Sequence, residues 1–187
     1  MKATTWGWLV GALATAAACG SGARDPGQTP EAISPVRLSG PRGSMGGTEI
    51  HNDPRVRRDS VPAPLESVWR ILPAVYADLG IADAGADTAQ QVYGNPDFTP
   101  RRIGGERLSR YIDCGTGITA MPKADEYEVT MSVLTRVAAA APGETALTTV
   151  VMARARARGH SANAVYCQST GALETQVMAR VIAALQG

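Results

Sequence analysis

Two stretches of alternating residues joined by a turn restrict the fold of this chain more than any other feature. Tyr127, Val129, Met131, Val133, Thr135 and Val137 alternate with Glu126, Glu128, Thr130, Ser132 and Arg136, the period of a strand with one buried and one wet face. After the turn signal Ala140-Ala141-Pro142-Gly143-Glu144, a second strand carries Leu147, Thr149, Val151, Ala153, Ala155 and Ala157 on one face. The two predict an antiparallel hairpin. A register centred near Pro142 sets Glu128 opposite Arg156 and Glu126 near Arg158, so that opposite charges meet on the exposed face. Leu134 and Val150 fall on that same face as a small apolar patch.

Helical periodicity occurs on either side of the hairpin. Leu65, Val68, Trp69, Leu72, Tyr76 and Leu79 recur at spacings of three and four, the stripe of an amphipathic helix. Pro64 suits its first turn and Gly80 a left-handed cap after its last, while Pro73 predicts a kink or local break. Leu173, Val177, Val181 and Leu185 form a second stripe near the C-terminus, widened by Met178 and Ile182, with Ser169 or Thr170 to cap it. Ahead of the first helix, Thr48-Glu49-Ile50-His51 and Val56–Val61 read as a first, bulged edge strand that Pro54 confines to a sheet edge, and a further strand is expected around 88–93. The segment 103–113 reads as irregular or partly helical. The order predicts a two-layer α+β domain, an antiparallel sheet with both helices on one face.

The N-terminal end reads differently. Met1-Lys2, an apolar run from Trp6 to Ala18 and small residues thereafter have the parts of a secretory signal peptide, too short to span a bilayer. Cys19 directly after Ala16-Ala17-Ala18 resembles the lipobox of bacterial lipoproteins, whose cysteine receives lipid and becomes the mature N-terminus. The pattern prefers Leu where this chain has Ala16, and Ala14-Thr15-Ala16 offers an ordinary signal-peptidase site that would release a soluble protein instead. Gly20-Ser21 lacks the Asp that holds such lipoproteins in the inner membrane, which points to the outer membrane, facing the periplasm. Residues 19–47, rich in Gly and Pro, bury too little apolar surface to offset their ordering entropy and read as a disordered tether. The boundaries are thus 1–18 signal, 19–47 tether and 48–187 a single domain.

Export bears on the remaining cysteines. With Cys19 assigned to the anchor, Cys114 and Cys167 form an even pair in an oxidising compartment and are expected to bond. The link would tie the Asp113-Cys114-Gly115-Thr116-Gly117 turn to the entrance of the last helix. A reactive or metal-binding thiol is the alternative, but no C-x-x-C motif or nearby His accompanies either residue.

Chemistry-bearing motifs are otherwise few. His51 and His160 are far apart, each without the partner a zinc helix needs, so no metal site and no cofactor is expected. No phosphate loop or G-x-S-x-G elbow occurs, and no catalytic residues are assigned. His160-Ser161 reads as a hairpin turn rather than part of a triad. With 18 basic and 17 acidic residues, net charge +1, the chain has no bulk attraction to nucleic acid. Two surface candidates remain. Arg154, Arg156 and Arg158 form a basic ladder that either contacts phosphate or lipid headgroups or is a solvated strand face. Phe98, the single phenylalanine, either anchors a partner or folds back on the core from a loop.

The element order looks like the helix-grip arrangement. Together with the lipobox, the tether and Val68-Trp69-Arg70-Ile71-Leu72 leading into Leu79-Gly80-Ile81, it is similar to helix-grip lipoproteins of the C-subunit type from the β-barrel assembly machinery. The similarity covers the tether and one domain, where that family has two. It implies an accessory role in envelope assembly through protein contact and brings no catalytic residues. The first expectation is therefore a non-enzymatic, lipid-anchored envelope protein that binds a protein partner or stabilises an envelope complex. The alternative is a small-molecule or lipid carrier, which would show a void behind Val129, Met131 and Val151. An unrecognised enzyme comes third, marked by titratable groups converging in a cleft.

Overall fold

The structure, a computed structural model, describes residues 36–40, 43–48, 58–159 and 163–187. The signal segment, Cys19, the tether up to residue 35, His51, Pro54 and the His160-Ser161 pair lie outside them. In chain order the elements are β1 (Val36–Gly40), β2 (Gly43–Thr48), β3 (Arg58–Val61), α1 (Leu65–Asp78), β4 (Gly85–Asp87), β5 (Val92–Phe98), β6 (Arg102–Ile103) and β7 (Glu106–Arg107). There follow a 3-10 turn (Leu108–Arg110), β8 (Ile112–Asp113), α2 (Lys123–Glu126), β9 (Glu128–Ala141), β10 (Glu144–Arg156), β11 (Val165–Ser169) and α3 (Ala172–Gln186).

The long β9–β10 hairpin is the spine of the domain, and its register sets Arg156 opposite Glu128, as the alternation predicts. One sheet runs β2-β1-β4-β5-β9-β10-β11-β8, all antiparallel, with β3 beside β10. β3 pairs with Thr145–Thr148 and β11 with Ala153–Ala155, so the outer edge of β10 is shared by two short strands. β6 and β7 make a separate two-stranded ribbon.

Helices α1 and α3 lie side by side on one face, with α1 against β9 and α3 against β10. Small side chains at Ala153 and Ala155, both buried, leave room for α3 to sit close. Val68, Leu72 and Tyr76 of α1 and Leu173, Val177 and Val181 of α3 join Val129, Met131, Val133 and Val151 in one core. This is the expected two-layer α+β architecture. Beyond the packing, Arg180 on α3 lies 3.6 Å from Asp78 on α1.

Local chemistry accounts for the ends of these elements. Gly80 takes φ 70°, and its N–H and that of Ile81 bond back to Ala77 and Tyr76, the Schellman closure that satisfies the last carbonyls of α1. Pro73 does not break α1, which runs unbroken from Leu65 to Asp78. It lies on the exposed side, where water can satisfy the carbonyl left without a donor. Pro64 occupies the cap position rather than the first turn. At α3 the cap is Gly171 at φ 80°, and Thr170 Oγ1 and Ser169 Oγ accept from the N–H groups of Ala172 and Gly171 instead of serving as caps themselves.

Several strand boundaries differ from expectation. The strand placed at 88–93 begins at Val92; Thr88–Gln91 is the turn joining β4 to β5, and Gln91 there takes φ 52°. Asn95 to Phe98, read as loop, belongs to β5, which absorbs Pro96 in an irregularity of its pairing with β9. Glu126 ends α2 and accepts from Thr119, so it does not meet Arg158. β1 and β2 fall largely within the stretch read as tether. Backbone pairing needs no large side chain, so a composition argument about core burial does not detect such a hairpin.

Candidate functional site

The face of the sheet opposite the helices divides into a closed part and an open one. Val92 and Leu134 are fully buried there, with Val150 packed against them, so the patch expected to be exposed at Leu134 and Val150 is covered. Further along the same strands a groove of about 620 Å³ crosses from β5 over β9 and β10 to β11. Alternation decides its floor, since even-numbered residues of β9 and β10 point away from the helices.

The floor consists of two rows of cross-strand neighbours. Ser132 stands opposite Met152, and Thr130 opposite Arg154, which in turn faces Tyr166. One wall is made by Pro96 and Asp97, where β5 departs from its regular register with β9. Buried Asn95 holds that departure in place: its amide donates to the Ala82 carbonyl at 2.6 Å, and its Oδ1 accepts from the Asp97 N–H at 2.9 Å. Met152 is 39 % exposed and Tyr166 86 %, a pair of apolar surfaces at the mouth.

Two polar features stand out. The Arg154 guanidinium lies 3.6 Å from an Asp97 carboxylate oxygen, an ion pair from β10 to β5 that spans β9 and leaves the groove with no net charge from these two groups. Ser132 is 6 % exposed, and its Oγ has no hydrogen-bond partner. A buried hydroxyl left without a partner costs about 1–3 kcal/mol.

The three arginines of the ladder do not form one patch. Arg154 lines the groove, and Arg156 lines an adjoining hollow of about 220 Å³ with Glu128 and Thr130. Although directly opposite Glu128, Arg156 makes no ion pair among the described residues. Arg158 lies beyond the end of β10 and lines a different concavity, of about 540 Å³, with Arg101, Tyr127 and Asp125. The Asp125 carboxylate there is held by the Ser109 N–H at 3.1 Å and the Ser109 hydroxyl at 2.7 Å. Phe98 is half-buried against the core, in register with Met131. No sequence pattern marks Tyr166, Ser132 or Asp97 as site residues. Alternation puts Ser132 on the outer face, but nothing local marks its burial.

Cys114 and Cys167 are bonded, with an S–S distance of 2.00 Å, and join the segment after β8 to β11. The bond lies against the groove, since Cys167 is among its lining residues.

Titrating chemistry lies elsewhere. On the helix-facing side the Tyr76 hydroxyl is 2.8 Å from Thr135 Oγ1, which is 2.9 Å from Thr149 Oγ1. Burial drives the Tyr76 phenol well above its ordinary range, only partly offset by the Thr135 hydrogen bond. Among the described residues no group of three or more His, Cys, Asp or Glu is placed to hold a metal ion. No helix among them is long and apolar enough to cross a membrane.

The fold and groove define a two-layer α+β domain with a sheet left partly open on its outer face. Compared with known protein families, curated proteins and solved structures, the chain matches none.

Proposed function

We propose that this is a non-enzymatic protein of the bacterial envelope, anchored to the outer membrane through lipid on Cys19, whose domain docks a protein partner on the open face of its sheet. The observation that carries this reading is the pairing of exposed Met152 and Tyr166 at the mouth of a groove on the open part of the outer sheet face. Exposed apolar side chains grouped around a concavity mark interaction sites more often than isolated ones do. The carrier alternative asks for space between sheet and helices. Val129, Met131 and Val151 belong to the core formed with α1 and α3, while Val129 also lines the concavity of about 540 Å³ and Met131 and Val151 the groove.

Intact mass measured on the membrane fraction of native-host cells tests the anchor. A lipid-sized mass increase on a chain beginning at Cys19, absent in Cys19→Ser, is expected; an unmodified chain beginning near Ala17 sinks the anchor. Photo-crosslinking in the same membranes, from probes at Met152 and at the fully exposed Ile118, tests the partner. Failure of both probes to capture any protein sinks that part of the reading.

A further inference from the structure

We infer that the groove takes an extended, uncharged segment of another polypeptide, seating an apolar side chain on Met152 and Tyr166; this rests on the protein-partner reading and specifies what the partner presents. Ser132 lines the floor, and its buried Oγ has no hydrogen-bond partner. A hydroxyl offers one donor and two acceptor positions, so a small turn of the Ser132 side chain towards the groove would meet an amide or a carbonyl. A helix lying across the groove would have its main-chain groups bonded internally along its length and could not supply one. An extended chain leaves its peptide groups free.

Spacing and charge agree with an extended segment. The Ser132–Met152 row and the Thr130–Arg154 row are two residues apart on both strands, about 6.6–6.8 Å at the rise of a β-strand. Same-facing peptide groups of an extended chain repeat at that distance, so a segment that crosses the groove parallel to β9 and β10 sets one over each row. Arg154 presents five N–H donors, and its one ion pair with Asp97 leaves others for a main-chain carbonyl. Because Asp97 already balances Arg154, a carboxylate or phosphate on the ligand would meet Asp97 as a like charge, and an ammonium would meet Arg154. An uncharged segment meets neither. Met152 supplies a flexible, polarisable surface that adapts to different apolar side chains.

The test uses the full-length protein in detergent and capped octapeptides in which Thr alternates with Leu, Met or Phe, beside matched peptides carrying Asp or Lys at two Thr positions. Calorimetric titration is expected to show the uncharged peptides binding at least about tenfold more tightly than the charged ones. Ser132→Ala should weaken binding about fivefold or more while its melting temperature equals or exceeds that of the wild type, because the change removes a hydroxyl that nothing in the fold satisfies. Met152→Ala should weaken binding as well. A lowered melting temperature in Ser132→Ala with unchanged affinity would make the serine a structural group and overturn the inference. So would preference for the charged peptides, or no binding of any peptide. Crosslinking from Ile118 but not Met152 would remove the groove while leaving a protein partner; capture from neither position would remove the partner reading itself.

Discussion

Arg154 on β10 reaches over β9 to within 3.6 Å of Asp97 on β5, so that two strands without a hydrogen-bonded edge in common are linked across the outer face. Both side chains are more than half exposed, and exposed pairs of this kind contribute about 0–1 kcal/mol. Asp97→Asn should therefore leave the thermal unfolding midpoint nearly unchanged. Asn95→Ala, by contrast, removes a buried amide that makes two hydrogen bonds to the backbone, and should cost about 2 kcal/mol in chemical denaturation. Equal effects from both variants would show that the wall is held by the ion pair.

The Tyr76 phenol has its pKa raised by burial. An acid whose folded pKa lies above its unfolded value keeps the neutral form in the fold, so its contribution is fully present below the unfolded value. It is lost as pH rises past about 10, the ordinary phenol value, towards the folded one. Stability should fall in that alkaline range, together with release of the Tyr76 proton followed by tyrosinate absorbance. Tyr76→Phe should lose about 1 kcal/mol at neutral pH, with the Thr135 hydrogen bond, yet unfold at higher pH than the wild type. An unmoved alkaline transition would assign it to another group.

Gly94 sits in the middle of β5 between Gly85 on β4 and Leu134 on β9, with φ 154°. A Cβ there would run into the carbonyl oxygen of Val133 and lie 2.9 Å from the Leu134 Cα. Backbone cannot swing aside as a side-chain tip can. Gly94→Ala should destabilise by about 3 kcal/mol or more, whereas Gly143→Ala, at the open turn of the β9–β10 hairpin where nothing lies within 4 Å, should cost only its strained φ, about 1 kcal/mol. Denaturation midpoints of the two variants make the comparison.

The Cys114–Cys167 bond closes 53 residues of sequence, a loop worth about 4 kcal/mol in the chain-entropy account. β11 has few other attachments, pairing with β10 at three positions and with β8 at two. Replacing both cysteines by serine should lower the melting temperature and raise amide hydrogen exchange most in β11. Uniform exchange across the sheet would show that the bond supports the whole fold instead.

The hairpin and both main helices were legible because each is written in nearby residues, and the cysteine pair because two cysteines remain once Cys19 is assigned to the anchor. Period two in Val129 to Val137 and spacings of three and four in Leu65 to Leu79 follow from backbone geometry alone. With Glu128 opposite Arg156, even the register came from the position of Pro142 between two alternating runs. What escaped local reading depends on residues distant in the chain. β5 carries Pro96 inside a strand because Asn95 bonds to the Ala82 carbonyl, and no pattern around Pro96 announces that. Ser132 and Thr130 look alike in sequence, yet only packing leaves Ser132 buried with an unpartnered oxygen. Leu134 reads as exposed by alternation and is covered all the same. Local periodicity thus determined which face each residue takes, since that is a property of strand and helix geometry; whether that face meets water, core or a groove was decided only when elements far apart in the chain came together.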